Sequence, residues 1–273
     1  MVLAFIAAGI GNLVRTKLIK HHYTLFLNIS MSISAACLAY ALCLKLAEVL
    51  FQLPAFHEAG YICSILFIIP GFPFITSGID LAKLDLRSGL ERLTYAIIII
   101  LVATMFAWIM ALLLDLQPLT FTSMSLNPIL LLCLRIIASF CGVFGFSIMF
   151  NSTIPMAAIA ALIGAVANTF RLELIDFTGM PPAAAAFIGA LSAGLLASEI
   201  KKNNGYPRIS LTVPSIVIMV PGLYLYRAIY NFGIMSLTEA VSWFTSAIMI
   251  IIMLPLGLIF ARILTDRAFR FCT

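Results

Sequence analysis

Apolar runs set the plan of this chain. Nine of them, at approximately residues 1–14, 24–47, 58–79, 93–114, 128–150, 156–170, 181–200, 209–226 and 238–262, alternate with short polar connections. Two, Ala96 to Leu114 and Phe244 to Phe260, are almost unbroken. A run of roughly 20 apolar residues matches a hydrocarbon core about 30 Å thick. In lipid only helices and closed β-barrels satisfy every backbone polar group. Barrel strands would alternate apolar and polar positions over about ten residues, and these runs do not. The pattern predicts an all-α fold: a polytopic transmembrane helical bundle of about nine helices. Asn127-Pro128, Pro181-Pro182 and Asn203-Asn204-Gly205-Tyr206-Pro207 supply turn chemistry between runs. The connections leave no room for a soluble domain.

Composition supports this reading. The 273 residues are 63% hydrophobic and only 10% charged, against about 25% charged in soluble domains. The net charge of +5 would raise nucleic acid as a partner in a soluble protein. Here the basic residues sit in short connections, where they set topology, so no nucleic acid is expected. If every run crosses the bilayer, one side collects twelve cations: Arg15, Lys17, Lys20, Lys83, Arg87, Arg92, Lys201, Lys202, Arg208, Arg262, Arg267 and Arg270. The other side collects three, Lys45, Arg171 and Arg227, and Arg135 lies within a run. The asymmetry places the C-terminus in the cytoplasm and the N-terminus outside. Met1–Val14 has no basic stretch before it and does not read as a signal peptide.

The chain also matches itself. Ile69-Pro70-Gly71 recurs as Val220-Pro221-Gly222, 151 residues later. At that shift Ser64-Ile65 falls on Ser215-Ile216, Asp80 on Asn231, Leu86 on Leu237 and Ala96-Ile97 on Ala247-Ile248. The third run thus pairs with the eighth. Five crossings separate them, so they run in opposite directions, the signature of an inverted-topology repeat. The domains are a first membrane repeat over 1–118 (helices 1–4) and a second over 119–273 (helices 5–9). An ancestral 5+5 plan would then have lost its first helix.

Pro removes a backbone N–H and Gly tolerates the bend that results. Paired Pro/Gly-interrupted spans in corresponding places point to a transporter's substrate site, although a packing kink has the same residues. The substrate-binding candidates are Pro70, Gly71, Thr76, Pro221, Gly222, Arg227 and Arg135. Half-helix N-termini and a guanidinium suit a carboxylate, and free carbonyls suit an ammonium. Arg135, deep in its run, signals function or a buried partner; snorkelling to the interface is the alternative. Arg227 could face the cavity or sit in an aromatic belt with Tyr224, Tyr226 and Tyr230. Asp80, about nine residues past the first break and on the order of 13 Å along a helix, is the proton-coupling candidate; a cap or a salt bridge with Arg87 or Lys83 competes. Asn151 and Asn168 could line a path or join helices.

No phosphate loop, HExxH or GxSxG motif appears, and the spans lack clustered nucleophiles, so an enzyme is not expected. Five cysteines lie in apolar runs and Cys272 in the tail; with His21, His22 and His57 in connections they give no metal spacing. No cofactor and no metal are expected.

Pro70-Gly71, Asp80, Ser88-Gly89 and Arg92 resemble the signature of the bacterial threonine/serine exporter family. So do Gly164, Phe187-Ile188-Gly189-Ala190, Val220-Pro221-Gly222 and Tyr226-Arg227-Ala228, in order, over essentially the whole chain. The resemblance implies about ten helices in the bacterial inner membrane and proton-motive-force-driven export of small amino acids. A split, two-chain branch is associated with succinate export. Full-length members carry an N-terminal cytoplasmic region and a first helix, which this sequence lacks; a second subunit or a homo-oligomer could complete it. The expected function is secondary export of small amino acids such as threonine or serine. The alternatives are export of small dicarboxylates and a non-transporting membrane subunit, with a passive channel behind both.

Overall fold

The computed structural model describes residues 2–51, 58–114, 116, 126–267 and 269. His57, Arg270, Cys272 and the 118/119 repeat boundary lie outside them, as do the side chains of Lys201 and Lys202. Eleven α-helices follow one another: α1 Val2–Lys20, α2 Leu25–Phe51, α3 Glu58–Ile65, α4 Gly71–Ala82, α5 Leu86–Leu113, α6 Pro128–Met149, α7 Ile154–Thr178, α8 Pro182–Asn204, α9 Arg208–Val217, α10 Gly222–Gly233 and α11 Leu237–Thr265. A single 3-10 turn, Leu66–Ile68, extends α3, and no strand occurs among the described residues.

Seven of these helices are long and apolar enough to cross a membrane. The third and eighth runs are instead broken pairs, α3 with α4 and α9 with α10; with each pair taken as one span, the described residues hold up to nine. The protein is a multi-pass helical membrane protein. Several helices outlast the apolar runs that announced them. Helix α1 continues through Arg15-Thr16-Lys17, α5 begins at Leu86 rather than 93, and α7 reaches Thr178 rather than 170. Polar residues beyond the hydrocarbon core end the hydropathy signal, but they do not end a helix whose hydrogen bonds are internal.

The chain forms two compact units, and two of their boundaries fall at the Pro-Gly breaks. The first comprises residues 1–70, 95–123 and 222–244; the second comprises 71–94, 124–221 and 245–273. These units are a different division of the chain from the two sequence repeats.

The first unit packs around tyrosines. Tyr40 on α2, Tyr61 on α3 and Tyr226 on α10 are fully buried. Their rings meet edge to face, with centroids 6.1 Å apart for Tyr40–Tyr61 and 6.4 Å for Tyr61–Tyr226. Such contacts favour aromatic pairs beyond the area they bury. Ala4, Ala7, Ile33, Cys37, Ala103 and Ala107 close the core around them. The Tyr61 hydroxyl donates to the Ala107 carbonyl at 2.5 Å, which satisfies a polar group that hydrocarbon would otherwise penalise. Outward-facing Phe5, Leu42 and Val49 stay exposed, at 80%, 68% and 81%, the opposite of a soluble core and the arrangement lipid requires.

The second unit packs on small residues. Ala157, Ala160, Ala161 and Ala167 of α7 and Ala185, Ala186, Ala190, Ala193 and Ala197 of α8 have no exposed surface. Small side chains let membrane helices approach closely, and contact rather than hydrophobicity holds them. One close approach is at Gly164, where a Cβ would stand 2.7 Å from the Ser215 carbonyl oxygen on α9. Leu211 to Val217, including the in-helix Pro214, is buried without interruption.

Candidate functional site

Both breaks are built the same way. Before each proline the helix tightens: the Ile69 N–H donates to Leu66 O at 3.2 Å, and the Val220 N–H to Val217 O at 3.1 Å. Ile69 then turns extended, with φ −60° and ψ 123°. Pro70 and Pro221 have no N–H to continue the ladder, and new helices start at Gly71 and Gly222. The end of one helix leaves carbonyls unpaired, and the start of the next leaves N–H groups unpaired. Space is tight at both glycines. In the first unit a Cβ on Gly222 would run into Ile69 Cδ1; in the second, one on Gly71 would lie 3.1 Å from Val217 Cγ1.

The match continues past the breaks. Helices α4 and α10 each have 12 residues, and α5 and α11 start 151 residues apart. Their connecting turns put a left-handed residue at the same place: Leu84 with φ 63° and Met235 with φ 62°. Four turn hydrogen bonds recur at that shift: Lys83 to Ile79, Leu84 to Leu81, Asp85 to Asp80 and Gly89 to Asp85 answer Ile234 to Tyr230, Met235 to Phe232, Ser236 to Asn231 and Ala240 to Ser236. A β-forming or branched residue in left-handed geometry is uncommon, so finding leucine and methionine there at equivalent points marks a shared backbone.

Different chemistry decorates this shared backbone. In the second unit Arg92 Nη1 lies 2.8 Å from Asp80 Oδ2, a charge contact without hydrogen-bond alignment; the Asp80 side chain is 19% exposed and that of Arg92 50%. In the first unit the equivalents are Asn231 and Trp243. There the Arg227 guanidinium stacks 4.6 Å over the Trp243 ring, and Tyr224 meets the same indole edge to face at 5.3 Å. A guanidinium over Trp is an attractive cation–π contact. Asp80 therefore pairs with Arg92, not with Arg87, whose own contact is to Glu91 at 3.3 Å. Thr76, buried on α4, turns its hydroxyl back to Phe72 O at 3.0 Å.

Arg135 is engaged between helices. From α6 it donates to Glu173 Oε1 at 2.8 Å and also pairs with Asp176, both on α7. Beside it the Asn168 amide donates to Ser139 Oγ at 2.8 Å, and Arg171 Nε donates to Asn168 Oδ1 at 3.1 Å. Polar groups from facing helices join α6 to α7 along one seam. Asn151 occupies the left-handed turn after α6, with φ 59°.

Each unit carries a cavity. The one in the first unit, about 370 Å³, reaches Ile68, just ahead of Pro70, and is lined by Arg15, His22, Asn28 and Tyr95 among others. The one in the second unit, about 290 Å³, lies among the ends of α4, α9 and α11, with Lys83, Arg208 and Arg262 in its wall. None of the sequence candidates lines either cavity, although Ile79 beside Asp80 lines the second. Arg15, Arg208 and Arg262 read as topology-setting charges in the sequence. Only Asn28, an amide inside an apolar run and 5% exposed, carried a separate signal.

Two family profiles match the chain. One, described as "Putative threonine/serine exporter", matches residues 1–114, and one described as "Threonine/Serine exporter, ThrE" matches residues 135–264. No curated protein and no solved structure matches. The two matched stretches together span the broken helices, the Asp80–Arg92 pair, the first cavity and all of the second but Asp266 and Phe269. The chain belongs to the threonine/serine exporter family.

Proposed function

We propose that this protein is a secondary exporter of small amino acids such as threonine and serine, driven by the proton-motive force across the bacterial inner membrane. The observation that carries the reading is the pair of equivalent Pro-Gly breaks in a chain of this family. Helix termini within a span present N–H groups that favour a carboxylate and carbonyls that favour an ammonium, the two ends of an amino acid.

In this reading the two sequence repeats, 1–118 and 119–273, have opposite topology, with the C-terminus cytoplasmic and the N-terminus outside; the twelve-to-three distribution of cations supports it. Pro70, Gly71, Pro221 and Gly222 shape the path. The cavity ahead of Pro70 serves as a vestibule, where Arg15 takes the carboxylate and the Asn28 amide and Tyr95 hydroxyl take the ammonium and side-chain hydroxyl. Asp80 carries the coupling proton: protonation removes its attraction to Arg92 and frees α4 from the start of α5. Thr76 keeps α4 hydrogen-bonded to itself, Arg227 anchors α10 on Trp243, and Arg135 joins α6 to α7.

The test is flux. Proteoliposomes holding the full chain and loaded with labelled threonine, serine or succinate are given an imposed proton gradient. Gradient-dependent efflux of threonine or serine supports the proposal. Efflux of succinate alone moves the substrate to dicarboxylates. No flux of any of the three, with protein folded, rejects transport by this chain alone and leaves a subunit role, to be sought by co-purification of a second polypeptide.

A further inference from the structure

The cavity of the second unit has a chemistry that the export reading does not use. We infer that it binds the phosphate head group of an anionic phospholipid. Three cations converge on it: Lys83 just after α4, Arg208 at the first turn of α9 and Arg262 near the end of α11. Among the described lining residues Asp266 is the one carboxylate, so that lining keeps two positive charges in excess.

The two arginines are held in place, Arg208 by uncharged groups and Arg262 by a ring and one carboxylate. Arg208 donates to Thr265 Oγ1 at 2.8 Å and to Gly194 O at 3.2 Å, both uncharged acceptors. The Arg262 guanidinium lies 4.2 Å over the Phe269 ring, and its Nε approaches Asp266 Oδ2 only to 3.5 Å. Guanidiniums fixed in this way are organised for phosphate oxygens. Arg208 also opens α9, so the partial positive charge of that helix start adds to the field.

The rest of the wall points to lipid rather than to a free anion. Ile79, Ile209, Leu258, Ile259 and Phe269 make up the apolar part, and Ile209 is half exposed. A hydrated phosphate gains nothing from such a surface, whereas the glycerol and first methylenes of a lipid do. The cavity also sits where spans end, which is the depth of head groups. Basic pockets between membrane helices are where such head groups bind.

The experiment uses the full chain in neutral maltoside micelles, melted by intrinsic fluorescence. Phosphatidylcholine, phosphatidylglycerol or soluble glycerol 3-phosphate is added, and the variants are K83Q/R262Q and K83R/R262K. Phosphatidylglycerol should raise the melting midpoint while the other two do not. At about 1 kcal/mol per cation, K83Q/R262Q should bind phosphatidylglycerol about thirtyfold more weakly, and K83R/R262K should keep the affinity. If K83Q/R262Q does not fold, K83Q alone should weaken binding about fivefold. Three results would overturn the inference: an equal shift with glycerol 3-phosphate, which makes the ligand a free anion; an equal shift with phosphatidylcholine; or unchanged phosphatidylglycerol affinity in the neutralised variants.

Discussion

Replacing Arg135 with methionine tests whether its place is in packing or in transport. In the structure its guanidinium bridges two carboxylates on α7, Glu173 at 2.8 Å and Asp176, with the Arg135 side chain 17% exposed, Glu173 23% and Asp176 49%. Removing one member of a fully buried pair costs roughly 3–5 kcal/mol, because a charge is left uncompensated. An exposed pair contributes only ~0–1 kcal/mol. The Glu173 arm lies near the buried limit and the Asp176 arm near the exposed one, so Arg135→Met should destabilise by about 2–3 kcal/mol, discounted for the solvent on Asp176. The triple variant R135M/E173Q/D176N leaves no charge behind and should lie within about 1 kcal/mol of the native chain. The assay is reversible unfolding in mixed micelles of maltoside and dodecyl sulfate, followed by helicity across the mutant cycle. The reasoning fails if the triple variant is as unstable as R135M, or if R135M unfolds with the native chain. A stable R135M that has lost flux would return Arg135 to the substrate path.

Further outcomes follow from the same geometry. Asp80→Asn should abolish the pH dependence of export while substrate still protects the chain from heat; unchanged coupling rules out Asp80 as the proton carrier. Gly164→Ala must push α7 away from the Ser215 carbonyl, only 2.7 Å from the new methyl, and should cost about 1–3 kcal/mol, read as a lower melting midpoint; an unchanged midpoint would mean the helices part freely. Tyr61→Phe removes the hydrogen bond to Ala107 O, a carbonyl that keeps its place in the α5 ladder, at about 0.5–1.5 kcal/mol; a loss below about 0.3 kcal/mol would show the contact to be incidental.

Nearly all of the helical plan can be read from the sequence, because lipid imposes one rule on every span. The breaks are equally legible: a proline without an N–H next to a glycine, twice, at one spacing. What the sequence does not show is who meets whom across space. Arg135 is a conspicuous intramembrane cation, yet its partners Glu173 and Asp176 stand 38 and 41 residues away, past the end of another apolar run. Asp80 pairs with Arg92 rather than Lys83 or Arg87, because the left-handed residue at Leu84 reverses the chain and brings the start of α5 back beside α4. Arg15, Arg208 and Arg262 read in the sequence as charges of the connections, and only three-dimensional packing shows that they stand in cavity walls.

The repeat and the compact units divide the chain differently, and the difference bears on how an exporter of this family could work. The stretch after the first break, 71–94, belongs to the second unit, and its repeat equivalent, 222–244, belongs to the first. Each repeat thus gives the same piece away at the same Pro-Gly junction. Two of the junctions between the units fall at Pro-Gly, where a helix cannot continue and backbone torsion can change without breaking ladder hydrogen bonds, whereas at 94/95 and 244/245 the chain crosses inside the continuous helices α5 and α11. The two exchanged pieces share a fold but not a chemistry: one holds an acid–base pair, Asp80 with Arg92, and the other a cation on an indole, Arg227 on Trp243. In the proposed coupling the Asp80 proton acts on the first and has no counterpart in the second, so a gradient has a single place to act. That asymmetry predicts that neutralising Asp80 uncouples transport, while charging its equivalent by Asn231→Asp does not create a second coupling site, because the neighbouring Arg227 guanidinium is already held over the Trp243 ring. Efflux measured against imposed pH steps in both variants separates the two: a new acid-shifted dependence in Asn231→Asp would overturn the single-site argument.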